Sequence, residues 1–116
     1  MSSEPGSYLP LSPAVLHILI SLAGEDRHGY GIMQEVALQS DGQYKLGPGT
    51  LYDNLQRLLD QGLVSEVSRK GEEDSRRRYY RLTSIGKRVV NAEIARLEGV
   101  FRHAKTHLRP VKAGKA

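Results

Sequence analysis

A stripe of apolar residues near the C terminus constrains the fold more than any other feature. Its members are separated by steps of four and three, the repeat of a helix that packs along a seam: Val90, Ile94, Leu97, Phe101, Ala104 and Leu108. Thr83 precedes this segment as a capping residue, so the pattern predicts one long helix over residues 84–108. A chain of 116 residues leaves little of its own domain to cover such a seam. The stripe therefore predicts a homodimer, and packing on the first helix of the same chain is an alternative that can coexist with it.

The composition excludes several classes of protein. The chain has no cysteine, which excludes a disulfide scaffold, a zinc–thiolate site and a cysteine nucleophile. It has no tryptophan and one phenylalanine, which argues against a large aromatic pocket within one chain. No apolar run reaches the roughly 20 residues of a membrane span, and no segment resembles a signal peptide. We expect a single-domain protein of a reducing cytoplasm, with no membrane partner and no cofactor.

The charge is distributed unevenly along the chain. Residues 1–66 contain three basic and eight acidic residues, a net charge of −5. Residues 69–88 contain eight basic and three acidic residues, a net charge of +5, and the remaining C-terminal residues carry +4. This concentration of positive charge favours a polyanionic partner. A solvated charged loop would have the same composition.

Three amphipathic segments precede the basic stretch. The first begins at a Ser-Pro pair, positions 12 and 13, and stops at Gly24. The second covers Tyr30 to Ala37, and the third begins at residues 47–50 and stops at Gly62. The third segment has an apolar side and a polar side, the latter formed by Thr50, Asn54, Arg57 and Gln61. A helix with an apolar rear and a polar front suits the DNA major groove.

After Gly62 the hydrophobic period changes to two. This predicts strands over residues 63–68 and 78–82, joined by a polar tip at 69–77. Tyr80 and Leu82 share one face of the second strand, so Tyr80 is expected in the core, and Arg77, Tyr79 and Arg81 give the hairpin a basic outer side. The predicted fold is mainly α with a small β-hairpin.

Three helices followed by a hairpin give the order of a winged helix-turn-helix. We expect a flexible N-terminal tail over 1–10, a winged helix-turn-helix DNA-binding domain over 11–83, a C-terminal dimerisation helix over 84–108 and a flexible basic tail over 109–116. Double-stranded DNA is the expected partner.

Several motifs, in this order, resemble the PadR family of bacterial transcriptional regulators. They are His28-Gly29-Tyr30-Gly31-Ile32, Gly49-Thr50-Leu51-Tyr52, Gly62-Leu63-Val64 and the run from Arg76 to Thr83. The resemblance covers residues 11–108, and the single C-terminal helix is similar to the short subfamily, whose dimers pack that helix against the partner's N-terminal helix. It implies repression from inverted-repeat operators, with release by a small-molecule effector in some members.

Carried onto this sequence, the resemblance makes the third helix the recognition helix. It implies DNA contacts by Thr50, Tyr52, Asn54 and Arg57. For Arg57 an ion pair with Asp53 or Asp60 is an equally weighted alternative, and Tyr52 has packing as its alternative. Tyr30 is expected to be a first-turn core residue. The wing arginines Arg76, Arg77 and Arg78 are expected to contact phosphates, which carry no sequence information.

Two departures limit what the resemblance implies. Some short members hold planar drugs between tryptophans at the dimer centre, and this chain has none, which removes the basis for multidrug sensing. Asp74-Ser75 stands where relatives often have a glycine pair, so we expect a differently shaped wing tip.

An enzyme is the weakest interpretation of the sequence, because no catalytic set of residues stands out. His103 and His107 have a spacing that can bind a metal, but no third ligand is evident. We therefore predict no metal site and no catalytic residue. The competing class is a winged-helix module for protein contacts, which would need neither the arginine run nor the polar face of the third helix.

Overall fold

The computed structural model describes residues 4–68 and 78–108. Within them lie a 3-10 helix (Pro5–Tyr8), four α-helices and three strands. The helices are α1 (Pro13–Ser21), α2 (Gly29–Gln39), α3 (Pro48–Asp60) and α4 (Ser84–His107), and the strands are β1 (Arg27–His28), β2 (Val64–Val67) and β3 (Tyr79–Leu82). The predicted mainly α fold with a hairpin is confirmed.

Local chemistry explains where the helices start and stop. Ser12 Oγ accepts a hydrogen bond from the Val15 N–H at 3.2 Å, and Thr83 Oγ1 accepts one from the Gly86 N–H at 3.0 Å. Serine and threonine are favoured at the N-cap position because their hydroxyls accept a hydrogen bond from an N–H group that has no partner within the helix. At the end of α3, Gly62 adopts a φ of +76°, a left-handed conformation that suits glycine and lets the chain turn directly into β2.

The sheet has one strand more than the sequence predicted. Its order is β1-β3-β2, and both pairings are antiparallel. The sequence predicted no strand before residue 63, but Arg27 and His28 pair with Tyr80 and Tyr79 of β3. Two residues are too few to show an alternating pattern, so this strand depends on a partner more than fifty positions away in the chain.

The apolar core lies between α1, α2, α3, the inner face of the sheet and the first half of α4. Ile18, Ile32 and Leu51 are fully buried, and Tyr80 and Leu82 cover them from the sheet as predicted. The leucines of α3 form the apolar rear of that helix, with Leu51, Leu55 and Leu58 buried and Leu59 partly buried against the core. This packing leaves the polar side of α3 facing outward.

The N-terminal segment packs along α4. The tail was predicted to extend to residue 10, whereas Pro5–Tyr8 form a 3-10 helix that contacts α4, and Tyr8 and Leu9 pack against the core. Leu11 then donates its backbone N–H to Glu93 Oε2 of α4 at 3.1 Å. This contact fixes the approach of the chain to α1.

None of the helices in the described part of the chain combines the length and the apolar character needed to cross a bilayer.

Candidate nucleic-acid interface

The polar side of α3 forms the centre of the candidate interface. Thr50, Arg57 and Gln61 are exposed and Asn54 is half-buried. Asn54 Nδ2 donates to the Thr50 carbonyl at 2.8 Å, which orients the amide along the helix. An amide in this position keeps a second N–H and an acceptor oxygen. The face therefore presents donors and acceptors on a helix whose rear is held by leucines.

Arg57 forms no ion pair with any residue that the structure describes, although Asp53 and Asp60 are its neighbours on α3. Asp60 instead accepts a hydrogen bond from Gln56 Nε2 at 3.1 Å. The ion-pair alternative is thus absent from this structure. The exposed guanidinium keeps its planar set of donors for an external partner.

Tyr52 is both packed and exposed. Its ring lies against Gly29 at the start of α2, so that a Cβ atom at position 29 would overlap the Tyr52 hydroxyl. About half of the Tyr52 side chain nevertheless remains accessible. Gly29 therefore acts as a positioning residue for Tyr52, since only a glycine leaves room for the ring there.

Gly29→Ala is expected to push the Tyr52 ring outward at a cost of about 1 kcal/mol, because the obstructing atoms are the far end of a side chain. Gly86→Ala is the matched comparison, since its Cβ would overlap the backbone carbonyl of Leu63, and we expect a cost of about 3 kcal/mol. Urea unfolding measures both costs, and NMR measures the solvent exposure of the Tyr52 ring. Equal costs, or an unmoved Tyr52 ring, would contradict this account.

The prediction that Tyr30 is a core residue is wrong. Its side chain is 61% exposed. Ile32 and Val36, one helical turn apart, form the buried face of α2, and position 30 points away from that face. Tyr30 is therefore an exposed aromatic side chain in the first turn of α2.

The wing consists of β2, β3 and the connecting residues 69–77. Arg76 and Arg77 lie outside the described residues. Arg78 is described, and its Nη1 lies 3.4 Å from Glu66 Oε2. Burial raises the pKa of Tyr80, Glu66 raises it further, and Arg78 opposes the rise. The hydroxyl of Tyr80 thus lies in a charged cluster at the start of β3.

The outer face of the wing is less basic than the sequence suggests. Arg81 Nε and Nη2 donate to the two carboxylate oxygens of Asp26 at 3.1 and 2.8 Å. These hydrogen bonds raise the pKa of Arg81 and balance its charge. Because the pair joins the segment before β1 to β3, Arg81 serves the sheet rather than adding an unpaired cation.

Two residues of β1 that the sequence motifs did not assign to any structural role connect this strand to its neighbours. Arg27 Nε donates to the Ser21 carbonyl at 2.7 Å, which fastens β1 to the end of α1. His28 Nδ1 accepts the Gly31 N–H at 3.0 Å and so caps α2, and its ring meets Tyr79 edge-on with centroids 5.2 Å apart. The position of His28 immediately before Gly29 was the available signal for this cap.

The comparisons with known proteins decide the family. The profile of the Transcriptional regulator PadR-like family matches residues 15–92. The chain belongs to this family. The transcriptional regulator Rv3488 of Mycobacterium tuberculosis is 38% identical over 88 residues, covering 75% of this chain and 78% of that protein. The resemblance drawn from the sequence motifs is confirmed.

Two solved structures of PadR proteins share the fold. A PadR family transcription regulator from Clostridium difficile superposes with a TM-score of 0.71 at 23% identity, covering 84% of this chain and all of that one. Bacillus subtilis PadR, solved in complex with operator DNA, gives a TM-score of 0.62 at 18% identity, covering 92% of this chain and 54% of that one. At these identities the likeness establishes the winged helix-turn-helix architecture.

In this PadR-like chain the seam of α4 is mostly uncovered. Val90 is buried and Ala104 is half-buried, whereas Ile94, Leu97, Phe101 and Leu108 are between 38 and 69% exposed. Val100, which the heptad pattern omitted, is also exposed. The first helix contacts α4, and the buried apolar side chains of α4, Val89 and Val90, lie within its first two turns. Packing within the chain therefore does not account for most of the stripe.

The two histidines at the end of α4 are exposed, and their rings are adjacent, with centroids 4.3 Å apart and planes tilted by 37°. His107 Nδ1 lies 3.0 Å from the His103 carbonyl. In the described ranges no group of three or more His, Cys, Asp or Glu side chains could hold a metal ion.

Proposed function

We propose that this PadR family member is a dimeric, DNA-binding repressor that places one α3 helix in each half-site of an inverted-repeat operator. The observation that carries the proposal is the outward face of α3, where Arg57 and Asn54 are presented on a helix held from behind by buried leucines. A rigid helix with polar side chains on its free face is the element that reads base edges in the major groove.

The charge distribution supports a division of labour within this interface. Residues 1–66 carry a net negative charge, so α1, α2 and α3 are poor clamps for phosphates. The wing contributes Arg76, Arg77 and Arg78, of which the first two lie outside the described residues. Phosphate contacts by the wing would position the duplex, and base contacts by α3 would select the sequence.

The uncovered seam of α4 supports the dimer. Five large apolar side chains are exposed on one side of this helix, and soluble monomers rarely expose a contiguous apolar surface of that kind. A symmetric pairing of two such faces is self-complementary and presents two α3 helices related by a two-fold axis. That symmetry matches an inverted repeat.

Release by a small-molecule effector belongs to the same proposal. Phe101 is the only phenylalanine of the chain and lies exposed on the seam. An effector that entered the dimer seam would meet this ring, and it would have no tryptophan to stack on.

Arg57→Ala tests the recognition role of α3. On a duplex enriched from a random library by the protein itself, we expect a loss of about 1–3 kcal/mol per half-site, because a guanidinium that reads a base loses both hydrogen bonds. On an unselected duplex the change should be much smaller. Fluorescence anisotropy measures both affinities, and Arg102→Ala, an exposed arginine of α4, is the matched control.

Equal losses on both duplexes would reassign Arg57 to a phosphate contact. If the unaltered protein binds no duplex even at low salt, where phosphate contacts are strongest, the result would instead support a winged-helix module for protein contacts.

A further inference from the structure

Glu66 is a carboxylate placed within the positively charged wing. It lies opposite Tyr80 across the β2–β3 pair, and its Oε2 is 3.4 Å from Nη1 of Arg78. The Arg78 side chain is 74% exposed and that of Glu66 is 44% exposed. The two form a single-contact ion pair in water, a type of pair that stabilises a fold very little.

The pair lies on the side of the sheet that faces α3. Tyr80 is buried against the core, and Glu66 is paired directly with it across the two strands, so both side chains project from the same face of the sheet. Arg78, which contacts Glu66, therefore lies on this face of the wing, which the proposed function assigns to DNA. The Asp26–Arg81 pair lies on the opposite face of β3, since the neighbouring residues 80 and 81 point to opposite sides of the strand.

We propose that Glu66 competes with DNA phosphates for Arg78, so that the pair opens when the wing engages a duplex. The inference rests on the proposed function. A phosphate can accept two parallel hydrogen bonds from one guanidinium, which the single 3.4 Å contact to Glu66 does not match. Once Arg78 turns to a phosphate, the Glu66 carboxylate is left without its arginine and close to the negatively charged duplex.

The consequence is a sequence-independent reduction in affinity. Phosphates are alike in every duplex, so the competition weakens operator and non-operator DNA by the same factor. The competition also reduces the dependence of binding on salt. When Arg78 leaves Glu66 for a phosphate, the freed carboxylate takes up a cation, so fewer ions are released in net than when an unpaired arginine binds. Glu66 thereby limits how firmly the wing holds DNA of any sequence.

Glu66→Gln is the direct test, since the substitution keeps the size of an exposed side chain and removes its charge. We expect tighter binding of the library-enriched duplex and of an unselected duplex, each by about 1.5- to 5-fold per wing, or about 2- to 25-fold for a dimer. The slope of log K against log salt should steepen by about 1–2 for a dimer. Asp26→Asn is the matched control, because it frees an arginine of the same strand on the other face, and we expect no comparable gain.

A double-mutant cycle separates the competition from simple repulsion between Glu66 and DNA. In the Arg78→Ala background, Glu66→Gln should give no gain in affinity if Glu66 acts by holding Arg78. An equal gain in both backgrounds would overturn the proposal in favour of direct repulsion. Weaker binding by Glu66→Gln would overturn it in favour of a carboxylate that orients Arg78 toward the phosphate.

The failure of the proposed function is distinguishable from these outcomes. If neither the unaltered protein nor Glu66→Gln binds duplex DNA at low salt, both proposals are overturned together. If the unaltered protein binds duplex DNA and Glu66→Gln leaves affinity and salt slope unchanged, only the competition is overturned.

Discussion

Leu97→Glu is expected to leave the protein monomeric at micromolar concentration and to weaken binding of the library-enriched duplex by about 100-fold or more. Leu97 lies at the middle of the exposed seam of α4, and a carboxylate there would be buried without a partner in a symmetric dimer. A monomer loses the second half-site, and with it the effective concentration that makes the second contact intramolecular. Sedimentation velocity measures the oligomeric state, and anisotropy measures the affinity.

The control for this prediction introduces the same charge elsewhere on the helix. Ala95 is exposed on the side of α4 away from the stripe, so Ala95→Glu should remain dimeric and bind DNA normally. Helical content should be unchanged in both variants, because α4 is capped by Thr83 and held by its buried first half. A stable monomer of the unaltered protein, or a dimeric Leu97→Glu, would show that the seam has another role.

Glu93→Ala is expected to cost about 2–4 kcal/mol of folding free energy. The Glu93 side chain is 1% exposed, accepts two hydrogen bonds from Arg96 at 2.6 and 3.0 Å and one from the Leu11 N–H at 3.1 Å. Its removal leaves the partly buried N–H of Leu11 without this acceptor and opens a cavity beneath the N-terminal segment. Urea unfolding checks the magnitude. The exposed Glu98 of the same helix is the control, and Glu98→Ala should change stability by less than about 0.5 kcal/mol.

The same residue gives the protein a defined sensitivity to acid. The hydrogen bonds from Arg96 lower the pKa of Glu93 below its ordinary value of 4.5; burial opposes this, and the Leu11 N–H assists it. A lowered pKa in the folded state means that the contribution of Glu93 to stability is complete above pH 4.5 and is lost as the pH falls through the folded-state pKa. The difference in stability between the unaltered protein and Glu93→Gln should therefore be constant from pH 7 to 5 and shrink below pH 4.5. A difference that stays constant down to pH 3 would contradict this assignment.

The parts of the fold that sequence patterns predicted are those decided by neighbours along the chain. Ser12 and Thr83 cap helices because their hydroxyls reach an N–H three residues onward, and Gly62 ends α3 because a glycine tolerates a left-handed conformation. The two faces of α3 follow from the helical period alone. The polar face of α3 could therefore be predicted from the sequence.

The features that were missed depend on distant contacts. The β1 strand exists only because β3 pairs with it, and the burial of Glu93 depends on Leu11, 82 positions away. Tyr30 was misplaced because an aromatic residue in a helix usually indicates core, whereas Ile32 and Val36 form the buried face of α2 and position 30 lies off that face. Spacing alone could not decide whether Arg57 pairs with Asp53 or Asp60, because the side-chain rotamers determine whether such exposed pairs form.

The most direct test of a dimeric regulator that reads DNA with α3 is the stoichiometry of its complex with a duplex enriched from a random library. Sedimentation of the protein with that labelled duplex should give two chains per duplex. The enriched sequences should contain an inverted repeat whose half-sites lie about 10 base pairs, or a multiple of that, apart. A complex with one chain per duplex, or a library that yields no enriched sequence, would contradict the account.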